Sequence, residues 1–247
     1  MPLIVLGPEE CLWGSGVIDI GSIVKNFKFS KMSVKTNKAA EYLHTDLAPS
    51  YRKLNGETWK KLDDKLKIAV TGTLKELGKV KDKSWKNVVA SMMKSPLLQP
   101  DPNPQNEFNR ANKLINESSA DFKCDGSPDA VIISEVKTWF TQLIQDLDFL
   151  ASTRIDTDVL AKIVAQSGAI IDSFEAFFAK KERHEKTLLD IGALRFPDLE
   201  TPYLKLYRIQ LSAWSDSSRV PFHQDNKNGI TGEFNSRVFR PTFGCHR

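Results

Sequence analysis

The sequence predicts an α+β protein that is mainly α: a helical bundle built on a central helical hairpin and closed by a small C-terminal antiparallel β-sheet. Three observations predict it. From Ser127 to Asp190, two consecutive runs repeat apolar residues at three- and four-residue spacing, the period of a helix with one buried side. Glu57 to Leu77 carries a third such stripe. Tyr203 to Trp214 instead alternates apolar and polar residues, the period of a strand with one covered face. Because strands follow helices rather than alternating with them, a doubly wound parallel sheet is disfavoured.

Met1 to Val24 is interrupted by Gly7, Gly14, Gly16 and Gly21, which suits turns and short extended pieces. Gly14-Ser15-Gly16 lacks the lysine-hydroxyl ending of a phosphate loop, so no nucleotide cradle is expected there. Lys25 to Val34, with Phe27, Phe29, Met32 and Val34, reads as a strand. Asn37 to Leu54 reads as a helix interrupted near Pro49, since proline breaks the hydrogen-bond ladder. In Glu57 to Leu77 the stripe is Trp59, Leu62, Leu66, Ala69, Val70, Leu74 and Leu77, with Gly78 placed to stop the helix. Its opposite side carries Lys60, Lys61, Lys65, Lys67 and Lys75. Ser84 is placed to cap a further helix through Lys94 that Ser95-Pro96 ends. Pro100, Pro102 and Pro104 mark an irregular crossing, after which Phe108, Ala111, Leu114 and Ile115 suggest another short helix.

The central hairpin starts where Ser127 can cap, Pro128 suits the first helical position and Asp129 sits at the positive end of the dipole. Its first stripe is Ile132, Val136, Trp139, Phe140, Leu143, Leu147 and Leu150. The second opens at Asp156 and Asp158 and carries Leu160, Ile163, Val164, Ile170, Ile171, Phe174, Phe177 and Phe178. The short connection between them favours an antiparallel return. Phe196-Pro197 and Thr201-Pro202 break the helical pattern, and Tyr203 to Trp214 follows as a strand. Asn228-Gly229 is a tight-turn dipeptide, and Glu233 to Phe239 has the composition of another strand, ended by Pro241. The implied organisation is a basic N-terminal part of mixed short elements (1–126), the helical hairpin (127–196) and a β part (197–247), packed as one unit.

With 40% hydrophobic and 27% charged residues, the 247-residue chain has ordinary values for a folded protein, which excludes wholesale disorder. Pro2 to Leu6 is too short for a secretory leader, so a cytoplasmic location, or release without such a leader, is expected. The nearly apolar window Val159 to Ala179 is broken by Lys162, Asp172 and Glu175, so no constitutive transmembrane helix is expected. Cys11, Cys124 and Cys245 are odd in number and far apart, which argues against a disulfide scaffold or a zinc knuckle. His223, Asp225 and His246 could form a two-histidine, one-carboxylate iron site, but a polar turn suits His223 and Asp225 better. His44 and His184 stand beside charged residues, where solvent-facing positions suit both. Nucleophile and cofactor signatures are absent, so no catalytic, cofactor or metal residue is assigned.

Charge is distributed unevenly. Lys25 to Lys94 holds 17 Lys or Arg against 7 Asp or Glu, whereas Asp129 to Glu200 holds 8 against 13. Lysine dominates the basic part, and lysine is the weaker tool for bidentate base recognition. The first functional expectation is therefore a non-enzymatic binding protein, membrane-active or toxin-like. It would touch an anionic membrane surface or a protein partner through Trp59, Lys60, Lys61, Lys65, Lys67, Phe174, Phe177 and Phe178. The alternative is a nucleic-acid-binding or self-assembling structural protein that uses the basic Lys25 to Lys94 region, with homo-oligomerisation open to either.

Overall fold

The computed structural model describes residues 32–36, 40–51, 53–121, 130–165, 180–220 and 223–242. They form a mixed sheet with helices on both faces, not a helical bundle. The strands are β1 (Met32–Thr36), β2 (Ala40–Leu47), β3 (Leu98–Pro100), β4 (Glu107–Asp121), β5 (Lys180–Phe196), β6 (Tyr203–Val220) and β7 (His223–Pro241). The helices are α1 (Glu57–Leu77), α2 (Trp85–Met93), α3 (Ala130–Ile144), α4 (Leu147–Ser152) and α5 (Thr157–Ala165). Three long antiparallel strands, β5-β6-β7, make the centre. On one side β1 and β2 pair in parallel with successive stretches of β5; on the other, β3 and β4 pair antiparallel with β7.

The two sheet faces carry separate cores. Leu188, Leu194, Tyr207, Ile209, Leu211, Ala213 and Phe234 point to the face covered by α3, α4 and α5, whose Val136, Trp139, Phe140, Leu143, Phe149, Leu160 and Val164 pack against them. The alternate residues Leu189, Ile191, Ala193, Leu204, Leu206 and Phe239 meet Leu66, Val70, Leu77, Val88 and Met92 of α1 and α2 on the opposite face. This is the period-two alternation of a sheet covered on both sides.

The mainly-α expectation fails at particular places, each for a physical reason. Lys180 to Asp190 is strand, and β5 continues to Phe196. Its residues from Leu188 to Phe196 are all buried. A strand covered on both faces lacks the apolar–polar alternation, and here Asp190 and Arg195 interrupt a mostly apolar stretch at no strand period, so nothing local separates it from buried helix. Phe108 to Ile115 lies within β4, because its partner is the distant β7, from Arg237 to His223. In the predicted helix Asn37 to Leu54, residues 40–47 pair with β5, and among its described residues only a 3-10 turn, Pro49–Tyr51, is helical.

The first hairpin helix breaks after Ile144. Gln145 takes φ 60°, and Asp146 Oδ1 accepts from the backbone N–H groups of Asp148 (2.9 Å) and Phe149 (3.3 Å), so a new helix begins. The second hairpin helix is described only from Thr157 to Ala165, and Ile170 to Phe178 lies outside the described residues. The Asn228-Gly229 turn is also absent: both residues sit inside β7, opposite Ser215 and Trp214. Asn228 donates from Nδ2 to the Val164 carbonyl at 2.6 Å, and Gly229 leaves room for the Trp214 ring, which a Cβ there would meet at 2.5 Å. The dipeptide serves packing rather than a bend. The C-terminal strands are therefore not a small separate sheet but the middle of the only sheet among the described residues.

Other expectations hold. α1 spans Glu57–Leu77, α2 runs from Trp85 to Met93 before Pro96, and the strand from Tyr203 extends to Val220. Among the described residues no helix is long and apolar enough to cross a membrane.

Candidate functional site

Two features combine charge with defined geometry: the outer side of α1 and a buried polar cluster between β2, β5 and β6. On α1, the stripe Leu66, Ala69, Val70, Thr73, Leu74 and Leu77 is buried on the sheet. The opposite side, at i, i+4 and i+7 spacing, is exposed and includes Lys60, Lys61, Lys65, Lys67 and Lys75. Lys60 lies 3.5 Å from Glu57. Lys61, Lys65, Lys67 and Lys75 have no carboxylate within ion-pair distance among the described residues. One acid of this helix is taken away from the lysine side: Asp63 receives the Arg195 guanidinium, Nε to Oδ1 at 2.7 Å and NH2 to Oδ2 at 3.2 Å. Asp82 is likewise engaged, accepting from the Ser84 backbone and from Asn87 Nδ2 beside α2.

Trp59 does not join the lysine side. Its indole is half-buried and tilted against Tyr51, with ring centroids 6.1 Å apart. Phe174, Phe177 and Phe178 lie outside the described residues. The structure thus groups Lys60, Lys61, Lys65 and Lys67 on one helix side and turns Trp59 inward.

The second feature was invisible in the sequence. Parallel pairing sets His44 of β2 beside Gly192 of β5, and antiparallel pairing sets Gly192 beside Tyr207 of β6. A Cβ on residue 192 would stand 2.4 Å from the Tyr207 ring, so glycine lets that ring lie across β5 and bring its hydroxyl to 3.0 Å from His44 Nε2. His44 Nδ1 lies 2.7 Å from Asp46 Oδ2, and Nε2 lies 2.9 Å from Asp190 Oδ1. Asp190, fully buried, also accepts from Thr153 Oγ1 (2.7 Å), the Arg154 backbone N–H (2.8 Å) and the Tyr207 hydroxyl (3.3 Å). Arg154 NH2 reaches Asp46 Oδ2 at 3.0 Å.

His44 is therefore not solvent-facing; only 13% of its side chain is exposed. Burial alone lowers its pKa, but hydrogen bonding and charge from Asp190, then Asp46, outweigh this and raise it. Both ring nitrogens face carboxylates, the arrangement that the doubly protonated imidazolium satisfies. Burial first, then the Asp190 charge, pushes the Tyr207 phenol far above its ordinary range, so it stays protonated and donates. Both His44 ring nitrogens and the Tyr207 hydroxyl are thus engaged within the cluster. The cluster joins β2, β5, β6 and the α4–α5 connection as a charge-balanced clamp.

Among the described residues no group of three or more His, Cys, Asp or Glu side chains is placed to hold a metal ion. The side chain of His223, and His246 altogether, lie outside the described residues. No protein-family model and no curated protein matches this sequence. Fold and site together define a mixed-sheet α/β protein with a solvated lysine side on one helix layer.

Proposed function

We propose that this chain is a non-catalytic binding protein that holds a nucleic-acid backbone against the outer side of α1. The observation that carries this reading is the set of lysines 61, 65, 67 and 75, exposed on one helix side and outnumbering the exposed Asp64 and Glu76 there, with no carboxylate at ion-pair distance among the described residues, while Asp63 is turned inward to Arg195. Lysine ammonium groups are point charges that attract phosphates without reading bases, so binding is expected to be insensitive to sequence and steeply weakened by salt. The membrane-active reading needs apolar helix faces, and those of α1, α3 and α5 are covered by the sheet cores. A lipid surface could use them only if the helices left the sheet.

The test is fluorescence anisotropy with a single-stranded RNA of about 20 nucleotides, started at about 50 mM salt, where counterion release favours association. The charge-reversed variant Lys61→Glu/Lys65→Glu/Lys67→Glu is measured beside the wild type. The reading requires that wild type binds, that log affinity falls linearly with log salt, and that the variant loses binding and most of that slope. Absence of RNA binding by the wild type, or equal binding by the variant, rejects it. Pelleting with anionic vesicles that depends on these lysines, without RNA binding, transfers the reading to a membrane surface.

A further inference from the structure

The opposite face of the sheet holds a cleft of about 340 Å³ between the α3–α4 turn, the start of β4, and strands β6 and β7. That volume falls within the range of small-molecule sites, about 300 to 1,000 Å³. Its floor is apolar: Ile144, Phe149 and Phe234 are each only 2% exposed. One wall is Phe108, a large aromatic left 39% exposed and tilted on Phe234 at 5.9 Å between ring centroids.

Two donors in the cleft are fixed by their partners. Lys205 Nζ is held 2.9 Å from Asp146 Oδ2 and lies over the rings of Phe149 (5.5 Å) and Phe196 (5.1 Å). An ammonium has three donors and this ion pair uses one. Asp146 offers little in return, because its other oxygen caps α4. Gln145 Oε1 accepts from Arg110 at 2.8 Å, which leaves the amide NH2 of Gln145 as its remaining group. Arg110 itself stacks over Phe108, 4.8 Å from the ring centroid. Ser236 adds a hydroxyl. Beside the cleft Arg110 donates only to the Gln142 and Leu143 carbonyls and to Gln145 Oε1, so with Lys205 and Asp146 paired the balance there is one positive charge.

We infer that this cleft binds a small anion whose acid group is attached to a flat ring, the chemical class of an aromatic carboxylate. The ring lies against Phe108 over the Phe149–Phe234 floor, and the acid oxygens take the spare donors of Lys205 and Gln145. A neutral ring would leave the fixed ammonium without its second partner, and a bare anion would leave the aromatic wall wet. The site lies across the sheet from α1 and does not depend on the nucleic-acid reading.

The experiment is saturation-transfer NMR on the full chain with sodium benzoate as probe, with acetate and benzyl alcohol as the two half-ligands. Benzoate is expected to bind with Kd about 1 mM, the affinity of a fragment-sized ligand, and at least tenfold more tightly than either half. Phe108→Ala, at an exposed position, and Lys205→Gln are each expected to weaken benzoate about tenfold with an unchanged far-UV circular dichroism spectrum. The α1 triple variant is expected to bind benzoate as the wild type does. No transfer to benzoate, equal transfer to benzyl alcohol, or undiminished binding by Phe108→Ala overturns the inference.

Discussion

Replacing Asp190 by Asn keeps the shape of the side chain but removes the charge on which four donors converge, from His44, Thr153, Arg154 and Tyr207. The site is fully buried, so water cannot substitute. Breaking one partner of a buried ion pair costs about 3 to 5 kcal/mol. Hydrogen bonds to a charged group contribute about 1.5 to 3 kcal/mol each, so several weakened together give a loss of the same size. Against a usual total of about 5 to 15 kcal/mol, that is a large fraction of the fold's stability. The assay is urea unfolding followed by tryptophan fluorescence, at a series of pH values from 6 to 10.

The sign of the pH dependence follows from His44. Its folded pKa lies above the unfolded value of 6.5, so the stability it contributes is fully present below about pH 6.5 and is lost as pH rises through the folded pKa. Wild type should therefore weaken on the alkaline side of that window, and Asp190→Asn should flatten this slope. A variant within about 1 kcal/mol of wild type, or one that keeps the alkaline slope, would refute the clamp.

Three further predictions test the packing. Gly192→Ala drives a methyl into the Tyr207 ring, which should cost about 1 to 3 kcal/mol and change the near-UV circular dichroism of the aromatic cluster. Asp63→Ala strands the Arg195 guanidinium, whose side chain is only 6% exposed, and should cost about 3 kcal/mol by urea midpoint; Asp64→Ala on the same helix, outside that pair, should stay within about 0.5 kcal/mol. Leu143→Ala opens a cavity under β6 and β7 and should cost about 2 to 5 kcal/mol, with m unchanged if the fold is retained.

What could be read along the chain depended on where each signal originated. α1 announces itself because all of its buried positions lie within 21 residues and repeat with the helical period. The lysines of its outer side were legible for the same reason, and four of the eight predicted contact residues do share that side. Trp59, read as part of the apolar stripe, is half-buried against Tyr51 rather than among the lysines. The clamp left no local trace: His44 and Asp190 are 146 positions apart, and only parallel pairing of β2 with β5 brings them together. Gly192, inside the mostly apolar stretch Leu188–Phe196, marks where a ring crosses the backbone, but it does not say which ring.

By itself the sequence determined the helices whose one-sided stripes end in local stop signals, the alternating strand that begins at Tyr203, and the lysine side of α1. Tertiary structure decided that 180–196 and 107–121 are strands, that Asn228-Gly229 runs straight, and that a histidine is held between two carboxylates. The physical reason is range. Helical hydrogen bonds close within four residues, so composition and period nearby are enough to specify them. A strand's partners can lie more than a hundred residues away, and a strand buried on both faces carries no period of its own until those partners are in place.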